Sequence, residues 1–383
     1  MGWLAIVFWL SVGLIVYAYW GYGLLAMTLA LFRKRLPEPR PITPNVTLLI
    51  AAYNEEDVLA AKLKNALSLD YPLDRLEILV VADGSTDRTV SIAQSYAACG
   101  IRLEFLPERR GKIHALNRII PHLNSEIVVL SDANSMLNPE SLRMLVRHFD
   151  DVRVACVAGE KRIVPESGEV SSGEGLYWRY ESFLKGLDSR LGAVMGAAGE
   201  VMAIRRTCFE PLEPDTLLDD FVMSMRLVDR GYRVVYEKEA FSLEAASSSL
   251  DEELERKARI VAGGWQAIAR LSGLLWPSRP LLTLQFVSHR VLRWVLVPYL
   301  FLLAFLCNLL LAFGGQVFYI QLLGGQVFFY LVALVGGLTR VRGLVFAPFY
   351  LVFVNFAAIV GGVRFWRHRQ PVVWKKAHRP RAI

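Results

Sequence analysis

The sequence predicts an α/β domain with a mainly parallel sheet, set between α-helical transmembrane segments. Three observations carry that reading. Residues 1–32, 294–339 and 343–363 contain no charged side chain, whereas roughly 45–275 is of mixed charge. Within the mixed region, short runs of β-branched residues and leucine alternate with helical periodicity, the pattern of strands buried on both faces. Each of the first four runs ends in a polar turn, where parallel sheets bind ligands.

Taken in order, residues 1–32 form one apolar span, since a bilayer core of ~30 Å needs ~20 helical residues. No positive charge precedes this run and it is too long for the apolar part of a leader, so it reads as an anchor. The basic RKR at 33–35 follows it and puts the next domain on the cytoplasmic side. Residues 33–44 are a basic, proline-containing linker, and 45–274 are the soluble domain. The stretch 275–293 mixes apolar and basic residues and reads as an interfacial amphipathic segment. Residues 294–363 supply about three further spans, with GGQ at 314–316 as the break between the first two. The tail, 364–383, carries seven Lys and Arg and no acid.

That tail alone equals the net charge of +7. The excess is therefore juxtamembrane and points to anionic lipid, not to nucleic acid. Three spans after a cytoplasmic domain would put this basic tail outside, so charge and span count conflict. Four cysteines without CxxC spacing argue for a reducing compartment and against a zinc site. His114, His122 and His148 lack ligand spacing and read as surface or core residues.

In the soluble domain the four polar turns are AYNEE, ADGSTD, ERRGK and SDANS. Neither GxGxxG nor GxxxxGK[ST] occurs, which weakens the dinucleotide and P-loop readings. The turns instead offer Glu55, Asp83, Asp87 and Asp132. Acids repel phosphate without a cation, but suit ribose hydroxyls, base N–H groups and metal ions. Asp132 and Asn134, two residues apart, are either a metal grip or a polar turn. Asp219 and Asp220 open a helix; one acid suffices for a cap, and two leave a catalytic role open. Arg256 and Arg259 precede GGW at 263–265. They read as a basic surface face or as guanidinium groups for a diphosphate. Tyr177, Trp178 and Tyr180 would stack on a sugar ring or pack in a core. Asn308, Gln316, Gln321, Gln326 and Asn355 inside the spans would line a water path or bond between helices.

Together these turns resemble glycosyltransferase family 2, in particular its membrane-embedded branch of cellulose, hyaluronan and poly-N-acetylglucosamine synthases. The resemblance covers roughly 45–300. It implies a GT-A-type nucleotide-sugar-binding domain and a UDP-sugar donor. AAYNEE looks like the family's opening turn, with Ala52, Tyr53 and Glu55 at the nucleoside, and DGSTD like its second, with Asp83 at the uracil. RRGKIHALN brings Lys112 near the donor. SDANS falls on the DxD motif, making Asp132 and Asn134 the ligands of Mg2+ or Mn2+, with Asp132 also at the diphosphate. LLDDF falls on the catalytic acid pair, making Asp220 the base and Asp219 its orienting partner. RKARI falls where polymer-forming members have QxxRW, so Arg256 and Arg259 are expected at the donor. Gly199, Trp178 and Trp265 are expected at the acceptor. The metal motif reads DAN instead of DAD, and Ile260 replaces the tryptophan of QxxRW.

The resemblance implies an inverting, metal-dependent transferase of the plasma or inner membrane, building a β-linked polysaccharide. A small membrane partner subunit would complete a polymer path. Single transfer to a membrane lipid is the alternative, and a non-catalytic nucleotide-sensing membrane subunit a third reading.

Overall fold

The computed structural model describes residues 2–33, 38–164, 170–245, 249–339 and 346–372. The chain divides into two compact units. One comprises residues 33–166, 178–246 and 371–383, the other residues 1–32, 167–177 and 247–370. Most of RKR (34–35) and the tail beyond 372 lie outside the described residues.

The first unit is built on an eight-stranded sheet. Its strands are β1 (Val46–Ala52), β2 (Leu76–Asp83), β3 (Ile101–Leu106), β4 (Ile127–Asp132), β5 (Met136–Leu137), β6 (Val154–Val164), β7 (Met202–Arg205) and β8 (Arg233–Ala245). The order is β3-β2-β1-β4-β7-β6-β8-β5. β3, β2, β1 and β4 are mutually parallel. β7 runs antiparallel to both β4 and β6, β6 pairs parallel with β8, and β5 returns antiparallel along β8. Leu48, Ile50, Leu79, Val80, Val128 and Val129 have no exposure. Side chains of both parities are thus buried, as expected of strands covered by helices on both faces.

The register aligns the strand tips. Ala52 lies beside Ala82, Asp83 beside Leu106, and Ala51 beside Asp132. All four polar turns therefore leave one edge of the sheet. β7 is a strand that the sequence reading does not predict. Four residues give too short an alternation to stand out, and pairing on both sides creates the strand.

Among the described residues, the other unit has four helices long and apolar enough to cross a membrane: Gly2–Leu31, Pro280–Phe313, Val317–Thr339 and Phe346–Trp366. The break between the second and third falls at 314–316, where Gly315 takes a φ of 75°. The sequence reading set 275–293 apart from the span that follows. The helix is continuous from Pro280 to Phe313 instead. A π-helical stretch, Val287–Leu296, ends just before Pro298, whose missing N–H cannot close a normal helical bond. Among the polar residues of these helices, Asn308 pairs with Gln326 at 2.8 Å, and Asn355 donates to the Tyr19 hydroxyl at 2.9 Å. These two asparagines act in helix–helix bonding.

Helix Leu250–Arg270 also belongs to this unit, capped by Ser249, whose hydroxyl accepts from the Glu252 N–H. It packs closely on Phe346–Trp366: a Cβ on Gly361 would come within 2.4 Å of the Ala258 carbonyl oxygen. Arg364 adds two 2.6 Å bonds to Glu255.

Candidate active site

The candidate site is assembled at the aligned strand tips of the sheet-bearing unit. The first two turns are laced together. The Asn54 side chain accepts from the Thr86 N–H at 2.8 Å, and the Glu55 N–H donates to the Thr89 hydroxyl at 2.7 Å. Tyr53 lies face-on beneath Arg109, whose guanidinium carbon is 3.5 Å from the ring centroid. Asp83 accepts the Arg110 and Gly111 N–H groups through Oδ2. Its Oδ1 is buried and has no hydrogen-bond partner. One oxygen thus fixes the third turn while the other remains free to accept from a ligand. Gly84 makes this turn feasible: its φ is +67°, and a Cβ would fall 2.6 Å from the Arg109 backbone.

Lys112 follows Gly111 and opens helix Lys112–Ile119. Its ammonium lies 2.9 Å from Asp132 Oδ1 and 3.4 Å from Asp219 Oδ2. Burial would depress this lysine, but Asp132 and Asp219, with help from Asp220, hold its pKa well above the ordinary value. One positive charge therefore joins the end of β4 to the start of helix Asp219–Asp229, although 132 and 220 are far apart in sequence.

Asp220 is half-buried. Its Oδ2 accepts the Gly199 N–H at 2.7 Å and its Oδ1 accepts its neighbour Phe221's N–H at 2.7 Å. Burial, then the charges of Asp219 and Glu200, push its pKa up to about 7, against the pull of Lys112. The N-cap reading accounts for the Phe221 contact, but not for a carboxylate held beside two others. Asp219 Oδ2 is buried and makes no hydrogen bond beyond its ion pair with Lys112.

The third component of the site is a glycine turn. Gly199 approaches so closely that a Cβ there would stand 3.3 Å from Asp220 Oδ2 and 3.5 Å from the Lys112 nitrogen. Next to it, Glu200 binds Lys161 at 2.8 Å. Burial alone would raise Glu200, but Lys161 holds it at about 2. Trp178, on helix Val170–Leu191, has the ammonium groups of Lys161 and Lys185 each 5.6 Å from its ring centroid.

Residues 44–263, more than half of the chain, match glycosyltransferase like family 2. The chain belongs to that family. It is 27% identical over 267 residues to a poly-β-1,6-N-acetyl-D-glucosamine synthase of Staphylococcus aureus, covering 67% of this chain and 64% of the relative. The corresponding synthase of Staphylococcus epidermidis is 25% identical over 280 residues, covering 69% and 66%. The chain thus spans just under two thirds of the length of these relatives. A mannosyltransferase from Pyrobaculum calidifontis, solved with GDP-Man and Mn2+, superposes with a TM-score of 0.72 at 23% identity. That match covers 95% of this chain and all of the other. At that identity the likeness is one of fold, the GT-A arrangement.

Within this family-2 domain, Ala52, Tyr53, Glu55, Asp83, Lys112, Asp132, Asn134, Gly199, Asp219 and Asp220 sit on the turns and helix starts at the strand tips or on the glycine turn. Arg256, Arg259 and Trp265 belong to the helical unit. There Arg256 pairs with fully buried Glu253 at 2.6 Å, and Trp265 stacks on Phe365 with centroids 6.0 Å apart. The Tyr177 side chain lies outside the described residues. Sequence reasoning missed Arg109, Lys161, Glu200, Glu244 and Lys62. Lys62 left a signal: Leu59, Lys62, Leu63 and Ala66 share one helical face, and all four are buried.

Proposed function

We propose that the chain is an inverting, metal-dependent membrane glycosyltransferase that moves a sugar from a UDP-sugar to an acceptor hydroxyl and builds a β-linked polysaccharide. The observation that carries this reading is the shared ammonium of Lys112, which brings the metal-motif carboxylate Asp132 and the catalytic pair into one cluster. The polymer product rests on the similarity to the two synthases.

Asp220 is the base. A carboxyl group raised to about 7 is both ionised in part and basic enough to take a hydroxyl proton near neutral pH. The Gly199 N–H fixes which of its oxygens is engaged by the protein. A single displacement assisted by one base inverts the anomeric carbon, so an α-linked donor gives a β-linked product. Asp83, with its free oxygen, accepts from a base N–H, and Tyr53 and Arg109 form a stacked pair at the nucleoside side.

The residues fit a hard divalent cation. Asp132 and Asn134 both present oxygen donors, and the buried Asp219 Oδ2 faces the same cluster, where it has the Lys112 ammonium beside it. Bound there, Mg2+ or Mn2+ would neutralise charge on the leaving diphosphate. Asn134 adds no charge, so the grip is weaker than that of two aspartates. Lys112 supplies a further positive group for phosphate oxygens.

The test is turnover of purified protein in lipid, with a panel of UDP-sugars, GDP-Man alongside, and Mg2+ or Mn2+. A ladder or high polymer from a UDP-sugar is the expected product. One new glycolipid spot would replace the polymer reading with single lipid transfer, and transfer from GDP-Man alone would overturn the UDP-sugar assignment.

A further inference from the structure

Lys62 has no exposed surface. Its ammonium donates to Ser131 Oγ at 2.7 Å and to the Ser135 carbonyl oxygen. These residues flank the stretch Asp132–Asn134. From each, the bonding continues. Ser131 Oγ donates to the Glu200 carbonyl oxygen at 3.2 Å. Ser135 Oγ donates to Glu244. Lys161 then closes the circuit, donating to Glu244 at 2.6 Å and to the Glu200 side chain at 2.8 Å. The result is a ring of two lysines, two carboxylates and two serines. Ser131, Ser135, Glu244 and Lys161 are at most 5% exposed.

We propose that Lys62 is a positioning residue, which through this buried ring holds the Asp132–Asn134 turn at a fixed distance from the Gly199–Glu200 turn that orients the base. The inference rests on the reading of Asp132 and Asn134 as metal ligands. Packing alone does not call for a lysine here. Position 62 shares its helical face with Leu59, Leu63 and Ala66, and an apolar side chain would complete that face. A buried ammonium is costly unless its hydrogen bonds are made, so its presence ties the helix to both sides of the metal turn. Burial also pulls this lysine down to about 7, opposed by Asp132 and Glu244. The ring reaches the base through one residue: the Gly199 N–H that binds Asp220 precedes Glu200. Groups that orient metal ligands without touching the metal typically alter its affinity by about 10–100-fold.

The experiment titrates Mn2+ in the presence of UDP, reading free Mn2+ by electron paramagnetic resonance, on wild type, Lys62→Met, Ser135→Ala and Asp132→Ala. Amide hydrogen exchange of residues 131–137 is measured in the metal-free protein. Lys62→Met is expected to lower Mn2+ affinity by about 10–100-fold and to speed exchange across 131–137, with metal-free UDP affinity unchanged. Wild-type Mn2+ affinity and wild-type exchange in Lys62→Met would overturn the proposal. Should Lys62→Met fail to fold, Ser135→Ala decides: a severalfold loss of Mn2+ affinity supports the ring, and wild-type behaviour overturns it. Asp132→Ala separates the two levels. If it binds Mn2+ like wild type, the metal assignment fails, and exchange across 131–137 alone then judges the ring.

Discussion

The Gly199 backbone N–H donates to Asp220 Oδ2 across 2.7 Å, linking the glycine turn to the first turn of helix Asp219–Asp229. A methyl group at 199 would sit 3.3 Å from that oxygen, tighter than ordinary packing. Gly199→Ala is expected to fold and bind UDP but to lose about tenfold or more in kcat, because small misplacements of a base are costly. Steady-state kinetics beside a UDP-binding isotherm check this. Unchanged kcat would remove Gly199 from the orientation of the base.

Asp220→Asn should abolish proton removal, lowering kcat by at least about 100-fold while UDP affinity is kept. The substitution should also change how stability depends on pH. A carboxyl raised above its unfolded value disfavours the folded state progressively as pH rises from the ordinary carboxylate range through about 7. The amide escapes that penalty. Relative to wild type, the variant's Tm should therefore rise between pH 4 and pH 8.

The rate profile should have an acidic limb near pH 7, since the base must be ionised. After burial, the charge of Asp219 is the largest cause of the upward shift. Asp219→Asn should accordingly move the limb to lower pH. A limb that stays in place in the variant would mean that another group titrates.

Asp132→Ala should eliminate metal-dependent turnover. Asn134→Asp should do the reverse to affinity, because a second anionic oxygen donor strengthens a hard-cation grip. A gain of about tenfold in Mn2+ affinity, read in the presence of UDP, is the expected outcome, and no gain would exclude Asn134 as a ligand.

The strand–turn–helix rhythm was legible because strands buried on both faces are apolar throughout, as in Leu48–Ile50 and Val128–Leu130. Asp132, Asp219 and Asp220, which the structure gathers around Lys112, stand out in the sequence because carboxylates at such turns need a purpose. Long-range pairing was not. The join made by Lys112 has no local signature, since its partners are aspartates in distant segments, and the helical face of Lys62 marks that lysine as buried without naming its partners. β7 was missed for the related reason that its neighbours create it. The continuity of Pro280–Phe313 was hidden by Arg290 and Arg293, which end the charged stretch just before the uncharged run at 294.

Met202 in β7 is held from two directions, lying beside Leu130 of β4 and Ala158 of β6. Sliding β7 by one position would turn all its side chains to the opposite face and drag the Gly199 amide away from its acceptor. The segment between helix Val170–Leu191 and β7 is therefore fixed in length. Single-residue insertions or deletions at 197–201 should therefore abolish turnover, a pattern that deep insertional scanning would reveal as a narrow zone of zero tolerance.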